Sequence, residues 1–359
     1  MAVPRAHIVD PNEPGLYHCF SRCVRRAFLM GPGHDHRRAW IERRLEFLCS
    51  VFAVDAAAHS AMSNHLHVLV RIDPPRARDW TAHEVVRRWG CLHPKSVLAR
   101  AGLAVKRGAR APDELPDEAI ARVARDDRRV EEYRRRLSSL SWFMKSLKEP
   151  LARLANAEDG VSGAFWEGRF RSPRVLDLAG LLTCMVYIDL NPIHAGLCEG
   201  LADSMYTSVR LRLKALRRFL RSRALRMTLP AEDIARLERI VEQDEATVET
   251  PESSWMAPVG GGGDGARTPL LGIDAADYIA IVETAGRRPD PRKRGMIPAR
   301  VMSVLESLRM DVDRWLTVVT GKDGPQWGTA IGSAISLAVE AARRGVKRVV
   351  GALEVCLAR

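Results

Sequence analysis

Two histidines with one residue between them, His65 and His67, are the sharpest chemical feature of the chain. They open a stretch, residues 65–72, that alternates strictly: Leu66, Val68, Val70 and Ile72 on one side, His65, His67, Leu69 and Arg71 on the other. A period of two reads as a strand, so both imidazoles project from one face and can share a single metal ion. A pair of surface histidines gives the same string. The four aliphatic side chains opposite nevertheless assign the main core to the other face. Two metal-hydrolase patterns do not continue here. A binuclear site of the H-x-H-x-D-H kind needs Asp where Leu69 stands, and a β/α barrel needs regular alternation where the chain turns helical after residue 73. His34-Asp35-His36 repeats the spacing, but it follows Gly31-Pro32-Gly33 at a helix start and reads as a solvated loop. The remaining histidines, His7, His18, His59, His83, His93 and His194, form no second cluster in the sequence.

A third ligand and a nucleophile must then come from another element. Residues 178–190 read as an apolar helix, stopped by Asn191-Pro192 because the residue before a proline avoids the α region. That helix offers Tyr187 and, one turn later on the same face, Asn191. A phenol with a pKa near ~10 attacks a phosphate only once it is deprotonated or the phosphorus is polarised. An amide oxygen beside two neutral imidazoles makes a ligand set suited to Mg²⁺ or Mn²⁺, with water and phosphate oxygens completing the shell. A packing tyrosine and an ordinary helix stop are the bland alternatives at these positions.

The elements around these residues follow from pattern. Residues 15–24 are β-rich, residues 36–52 carry Trp40, Ile41, Leu45, Leu48 and Phe52 at helical spacing, and a strand over 54–62 precedes the Ser63-Asn64 turn. From 73 to about 138 runs a charged, helix-prone insertion whose Thr81 and Glu84 make a capping-box pattern. A helix over 139–156 contains Pro150, and residues 164–172 read as a strand with Arg169 and Arg171 on one face. Residues 204–230 hold eight basic residues and no acid and are read as helix. A glycine-rich stretch over 259–266 reads as linker or long loop, and the residues beyond it as a separate helical module.

Charge points to the partner. Residues 1–230 hold 39 Lys+Arg against 25 Asp+Glu, net +14, and residues 231–359 hold 17 against 19, net −2. A local excess of that size suits a polyanion, because each cation placed at a phosphate releases condensed counterions. The seven cysteines are odd in number and lack a CxxC, so neither a disulfide framework nor a cysteine zinc site is expected. No apolar run approaches the ~18–20 residues of a membrane helix and no secretory signal pattern is present, so a cytoplasmic, nucleoid-associated protein without a membrane partner is expected.

Taken in order, the strand and helix of the first 60 residues, then MSNHLHVLVRI, SWFMKSLKEPLARLAN, FWEGRFRS and LLTCMVYIDLNPIHAGL, resemble the REP-associated tyrosine transposases of the single-tyrosine HUH endonuclease superfamily. The resemblance spans about residues 15–215 outside the insertion. It implies an α+β fold: a ferredoxin-like antiparallel sheet with helices on one face and the active site on the other, plus a helical insertion and a C-terminal helical module. The domain division is then 1–230 (insertion 73–138), a linker over 231–266 and a helical module over 267–359. The resemblance makes Tyr187 the nucleophile and His65, His67 and Asn191 the ligands of a divalent cation. It makes single-stranded hairpin DNA the substrate, cut and rejoined through a 5′-phosphotyrosine. Lys145, Lys148, Arg169, Arg171, Arg210, Arg212, Lys214, Arg217 and Arg218 are candidate DNA contacts, with Trp142 or Trp166 as stacking platforms. His194 stands where the family commonly has arginine. A monomer or homodimer is expected. A non-catalytic nucleic-acid-binding regulator on the same fold, or a metal-dependent hydrolase that does not use Tyr187, are the rival readings.

Overall fold

The computed structural model describes residues 4–103, 114–221, 255–260, 268–287, 299–320 and 327–351, without the side chains of 217–221 and 299–300. It has an α+β fold on a five-stranded sheet ordered β2-β3-β1-β4-β5, with β1 at Gly15–Arg22, β2 at Val54–Ala61, β3 at His65–Ile72, β4 at Arg174–Val175 and β5 at Ala330–Ile331. The first four strands are antiparallel to their neighbours and β5 lies parallel to β4. Helix α1 (Asp35–Val51) connects β1 to β2, and α7 (Leu140–Glu158) leads towards β4. That connectivity is the ferredoxin-like one, with an additional strand at its edge.

The strict alternation of β3 is realised as predicted. Leu66, Val68, Val70 and Ile72 enter a core with Ile41, Leu45, Leu48, Phe143, Leu147 and Leu151 of α1 and α7. The insertion forms α2 (Pro74–Arg78), α3 (Ala82–Leu92), α4 (Pro94–Arg100), α5 (Asp117–Ala124) and α6 (Asp127–Leu137), which extend the same core through Trp89, Ile120 and Tyr133. The capping box is half formed: Thr81 Oγ1 accepts from the Glu84 N–H at 3.2 Å, while Glu84 binds Arg88. Pro150 lies within α7 and does not end it.

The opposite sheet face is covered too, which departs from helices on one face alone. Helix α8 (Leu178–His194) lies across β2 and β3 and is buried nearly all round. Over it pack α9 (Ser208–Arg221), α10 (Ala275–Gly286), α11 (Ala299–Ser307) and α12 (Val312–Thr320) in one core that includes Leu69, Tyr278 and Trp315; α13 (Ala334–Arg344) follows β5. The C-terminal helices are therefore not a separate module. The apolar helix α8 leaves too much surface for the sheet alone to bury, and the tail covers it. The Trp315 indole donates to Thr183 Oγ1 at 3.1 Å, and the Tyr278 hydroxyl to Asp189 at 2.5 Å. Of the expected linker, residues 255–260 are described, and the Ala257 N–H donates to Ala56 O beside β2; the rest lies outside the described residues.

Two local expectations are corrected. Helix α8 does not stop at Asn191-Pro192 but runs to His194, because both residues are buried in the packed helix and tertiary contacts override the local preference. Residues 164–172 form no strand. They make only two isolated bridges, Arg171 with Phe20 of β1 and Trp166 with Cys23 just past its end. Between the bridges Lys148 donates to Gly168 O and Arg5 to Phe170 O, so side chains occupy carbonyls a ladder would use. No described helix is long and apolar enough to cross a membrane.

Candidate active site

Register places the site. Arg22 lies opposite His65, Phe20 opposite His67 and His18 opposite Leu69, so β1 presents His18, Phe20 and Arg22 on the same face as the histidine pair. Helix α8 crosses that face and brings Tyr187 and Asn191 to it. The Tyr187 ring meets His67 edge-on at 5.8 Å between centroids, and the His65 and His67 rings are 5.0 Å apart. Residues some 120 positions apart in sequence thus converge, because α8 continues through Pro192 and keeps Asn191 on the turn after Tyr187.

The protons around His65 can be assigned from its partners. Asn64 Nδ2 donates to Arg26 O at 3.2 Å, so the Asn64 Oδ1 that meets His65 Nδ1 at 2.6 Å is an acceptor and Nδ1 carries the proton. Asn191 Nδ2 likewise donates to Tyr187 O at 3.3 Å, which turns Asn191 Oδ1 towards His65 Nε2, also at 3.3 Å. Burial pushes the His65 pKa down while the Asn191 contact pulls it up, and in the tautomer protonated at Nδ1 the Nε2 has no proton to give. In that tautomer two lone pairs face one another, whereas in the other Nε2 donates to Asn191 Oδ1. A divalent cation satisfies the first arrangement, since adjacent ligands at about 2.1 Å around an octahedral ion lie about 3 Å apart. The donor set fits Mg²⁺ or Mn²⁺.

His18 was not singled out by its sequence. Its Nε2 lies 2.8 Å from His67 Nδ1, and its ring stacks on His67 at 5.1 Å. When His67 donates in that bond, its Nε2 lone pair is left for a cation, as in a metal-binding histidine held by a second group. Burial pushes the His18 imidazole down to about 3 and the buried His67 well below its ordinary value, the neighbouring His65 and His18 adding to the latter effect. The available signal was the alternation Leu16, His18, Phe20, Arg22, which puts His18 on the right face but does not give the register. Among the described residues no set of three His, Cys, Asp or Glu side chains is disposed to hold a metal ion, so a cation site here depends on the Asn191 amide. Burial raises the Tyr187 phenol pKa, while the Asn191 side chain and the Arg22 cation pull it down.

The expected DNA contacts divide sharply. Arg169 and Arg171 are exposed, and Arg171 lies over the Phe20 ring that stacks on His67. Lys145 is exposed beside Glu149, and Lys214 is half-buried. Lys148 is buried against Gly168 O and Trp166, its pKa brought down to about 8 chiefly by burial. Arg210 and Arg212 are corrected to structural roles. They are 5% and 8% exposed and donate to Ala202 O and Ala57 O, which holds them inside the fold. The Arg217 and Arg218 side chains lie outside the described residues. Trp142 is flanked by the Arg136 and Lys145 cations, and the half-buried Trp166 donates to Lys148 O, so neither offers an open ring face beside the histidines. Four of the cysteines, Cys19, Cys23, Cys49 and Cys184, are buried and form no disulfide among the described residues.

Comparison with models of protein families, with curated proteins and with solved structures returns no match for this chain.

Proposed function

We propose that this protein is a single-stranded DNA strand transferase of the tyrosine-transposase kind, which cleaves and rejoins hairpin-associated DNA through a 5′-phosphotyrosine intermediate. The observation that supports the reading is the meeting of Tyr187 with His65, His67 and Asn191, with His65 Nε2 and Asn191 Oδ1 3.3 Å apart. His65, His67 and Asn191 would hold the ion, whose charge when bound polarises the scissile phosphate.

The chain's own groups do the rest. The Tyr187 oxygen attacks phosphorus in line, the bond to the 3′-oxygen breaks, and that oxygen leaves as a 3′-hydroxyl once it has taken up a proton; the phenol loses its own. Reversal by a different 3′-hydroxyl rejoins DNA without a nucleotide cofactor, because the phosphotyrosine retains the phosphodiester bond energy. Arg22 and Arg171 at the rim supply positive charge for the strand.

The test is incubation of protein, Mn²⁺ and a labelled hairpin oligonucleotide with a single-stranded flank, scored for a covalent adduct. An adduct that disappears in Tyr187→Phe, while hairpin binding stays within about threefold, is the expected result. Binding without an adduct gives the reading to a non-catalytic regulator, and turnover that survives Tyr187→Phe gives it to a hydrolase.

A further inference from the structure

The loop after β1, residues 23–31, is tied to the histidine turn by three bonds. The Cys23 N–H donates to Asn64 O at 2.8 Å, the Met30 N–H to Ser63 O at 2.8 Å, and the Asn64 side chain to Arg26 O at 3.2 Å. Asn64 is also the residue that fixes the His65 tautomer, so loop and site share one support. This loop presents Phe28 at 66% exposed, a large aromatic face in water. Arg25 and Arg26 are exposed on the same turn, and neither guanidinium has a partner among the described residues. Both hold φ of 55°, a left-handed conformation that L side chains adopt only under compulsion and that collects at functional sites.

An unpaired aromatic beside unpaired cations, anchored next to a phosphate-directed site, has the make-up of a single-strand platform: a ring for a base to stack on and charges for the flanking phosphates. We infer that Phe28, with Arg25 and Arg26, binds the single strand next to the scissile phosphate, Phe28 stacking on one unpaired base. The inference rests on the strand-transfer reading only for what that strand is; the platform binds whether or not Tyr187 reacts. A duplex offers a base face to a protruding ring only after a base step is unstacked, at a cost of a few kcal/mol, so the preferred partner is single-stranded.

The experiment uses the full chain and a fluorescein-labelled single-stranded oligonucleotide containing 2-aminopurine, with anisotropy for affinity and 2-aminopurine fluorescence for stacking. Phe28→Ala is expected to weaken single-strand binding by about five- to 150-fold and to abolish the quenching, and Phe28→Trp to restore both. Arg25→Gly/Arg26→Gly suits the left-handed backbone and so preserves the fold. It is expected to lower the slope of log affinity against log salt by about 1.4, about 0.7 for each phosphate no longer neutralised. Unchanged affinity in both variants, or an equal loss for duplex and single strand, overturns the platform. The adduct assay run alongside separates the two claims. Phe28-dependent binding without a Tyr187 adduct removes only the strand-transfer reading, and an adduct with unaltered binding in Phe28→Ala removes only the platform.

Discussion

At the scale of single residues, His65 Nε2 and Asn191 Oδ1 make a direct claim about metal affinity. Mn²⁺ is expected to raise the melting temperature of the wild-type protein, because a ligand at 100 times its dissociation constant adds about 2.7 kcal/mol to the stability of the state that binds it. In Asn191→Leu the Mn²⁺ effect on the melting temperature is expected to shrink by at least half. Calorimetric melting with and without metal checks both. The buried histidines make a second claim. His18, His67 and His65 all have folded pKa values below the ordinary 6.5, so between that value and their folded values the unfolded chain binds protons that the fold does not. Stability is therefore flat well above pH 6.5 and falls as pH drops through it, by up to about 1.4 kcal/mol per pH unit for each such group. His18→Phe is expected to cost about 1–3 kcal/mol at pH 7.5, since His67 Nδ1 loses its partner, yet to give a shallower decline between pH 6.5 and 5. Urea melts across that range read both effects.

At the scale of elements, α8 carries Tyr187 and Asn191, and its start is held by one carboxylate. Asp177 accepts from the Gly180 N–H at 2.8 Å as the cap of α8, and its other oxygen accepts from the Ser333 N–H at 2.7 Å, at the head of α13. Asp177→Ala is expected to cost about 1–2 kcal/mol in urea unfolding, near the upper end for a helix cap because two elements lose a bond at once. The strands and the first helix were legible in advance, since a half-buried strand prints its burial as a period of two and a surface helix as one of 3.6. The meeting of Tyr187 with the histidine pair followed from the order of the motifs in the resemblance, since α8, apolar on nearly every side, prints no facing of its own. The end of α8 was not legible: Asn191-Pro192 is a local stop signal, and the packing of a helix buried on every side overrules it. His18 was hidden in register, which side-chain pattern constrains to a face but not to a neighbour. The buried arginines misled for a related reason. Composition counts Arg210 and Arg212 as surface charge, whereas one bonds the Ala202 carbonyl and the other lies 3.7 Å from buried Asp189.

For the whole molecule, two cores share one sheet, and the second is incomplete without the last quarter of the chain. Tyr278, Trp315 and β5 complete the surroundings of α8, so deletion of residues 267–359 is expected to give an insoluble or unfolded product rather than a stable N-terminal domain. Solubility and far-ultraviolet circular dichroism check this. Trp315→Ala alone is expected to cost about 3–5 kcal/mol, a large fully buried side chain leaving a cavity and taking away the bond that the Thr183 hydroxyl accepts, while its own bond to Ala179 O remains.

Trp327, just ahead of β5, touches both the Tyr187 ring, at 5.4 Å, and the His18 ring, at 5.7 Å. The far end of the polypeptide thus roofs the very phenol on which the N-terminal sheet depends. Displacing Trp327 would bare one edge of the Tyr187 ring and one of the His18 ring together, so the packing of the carboxy-terminal quarter and that of the histidine face are not independent.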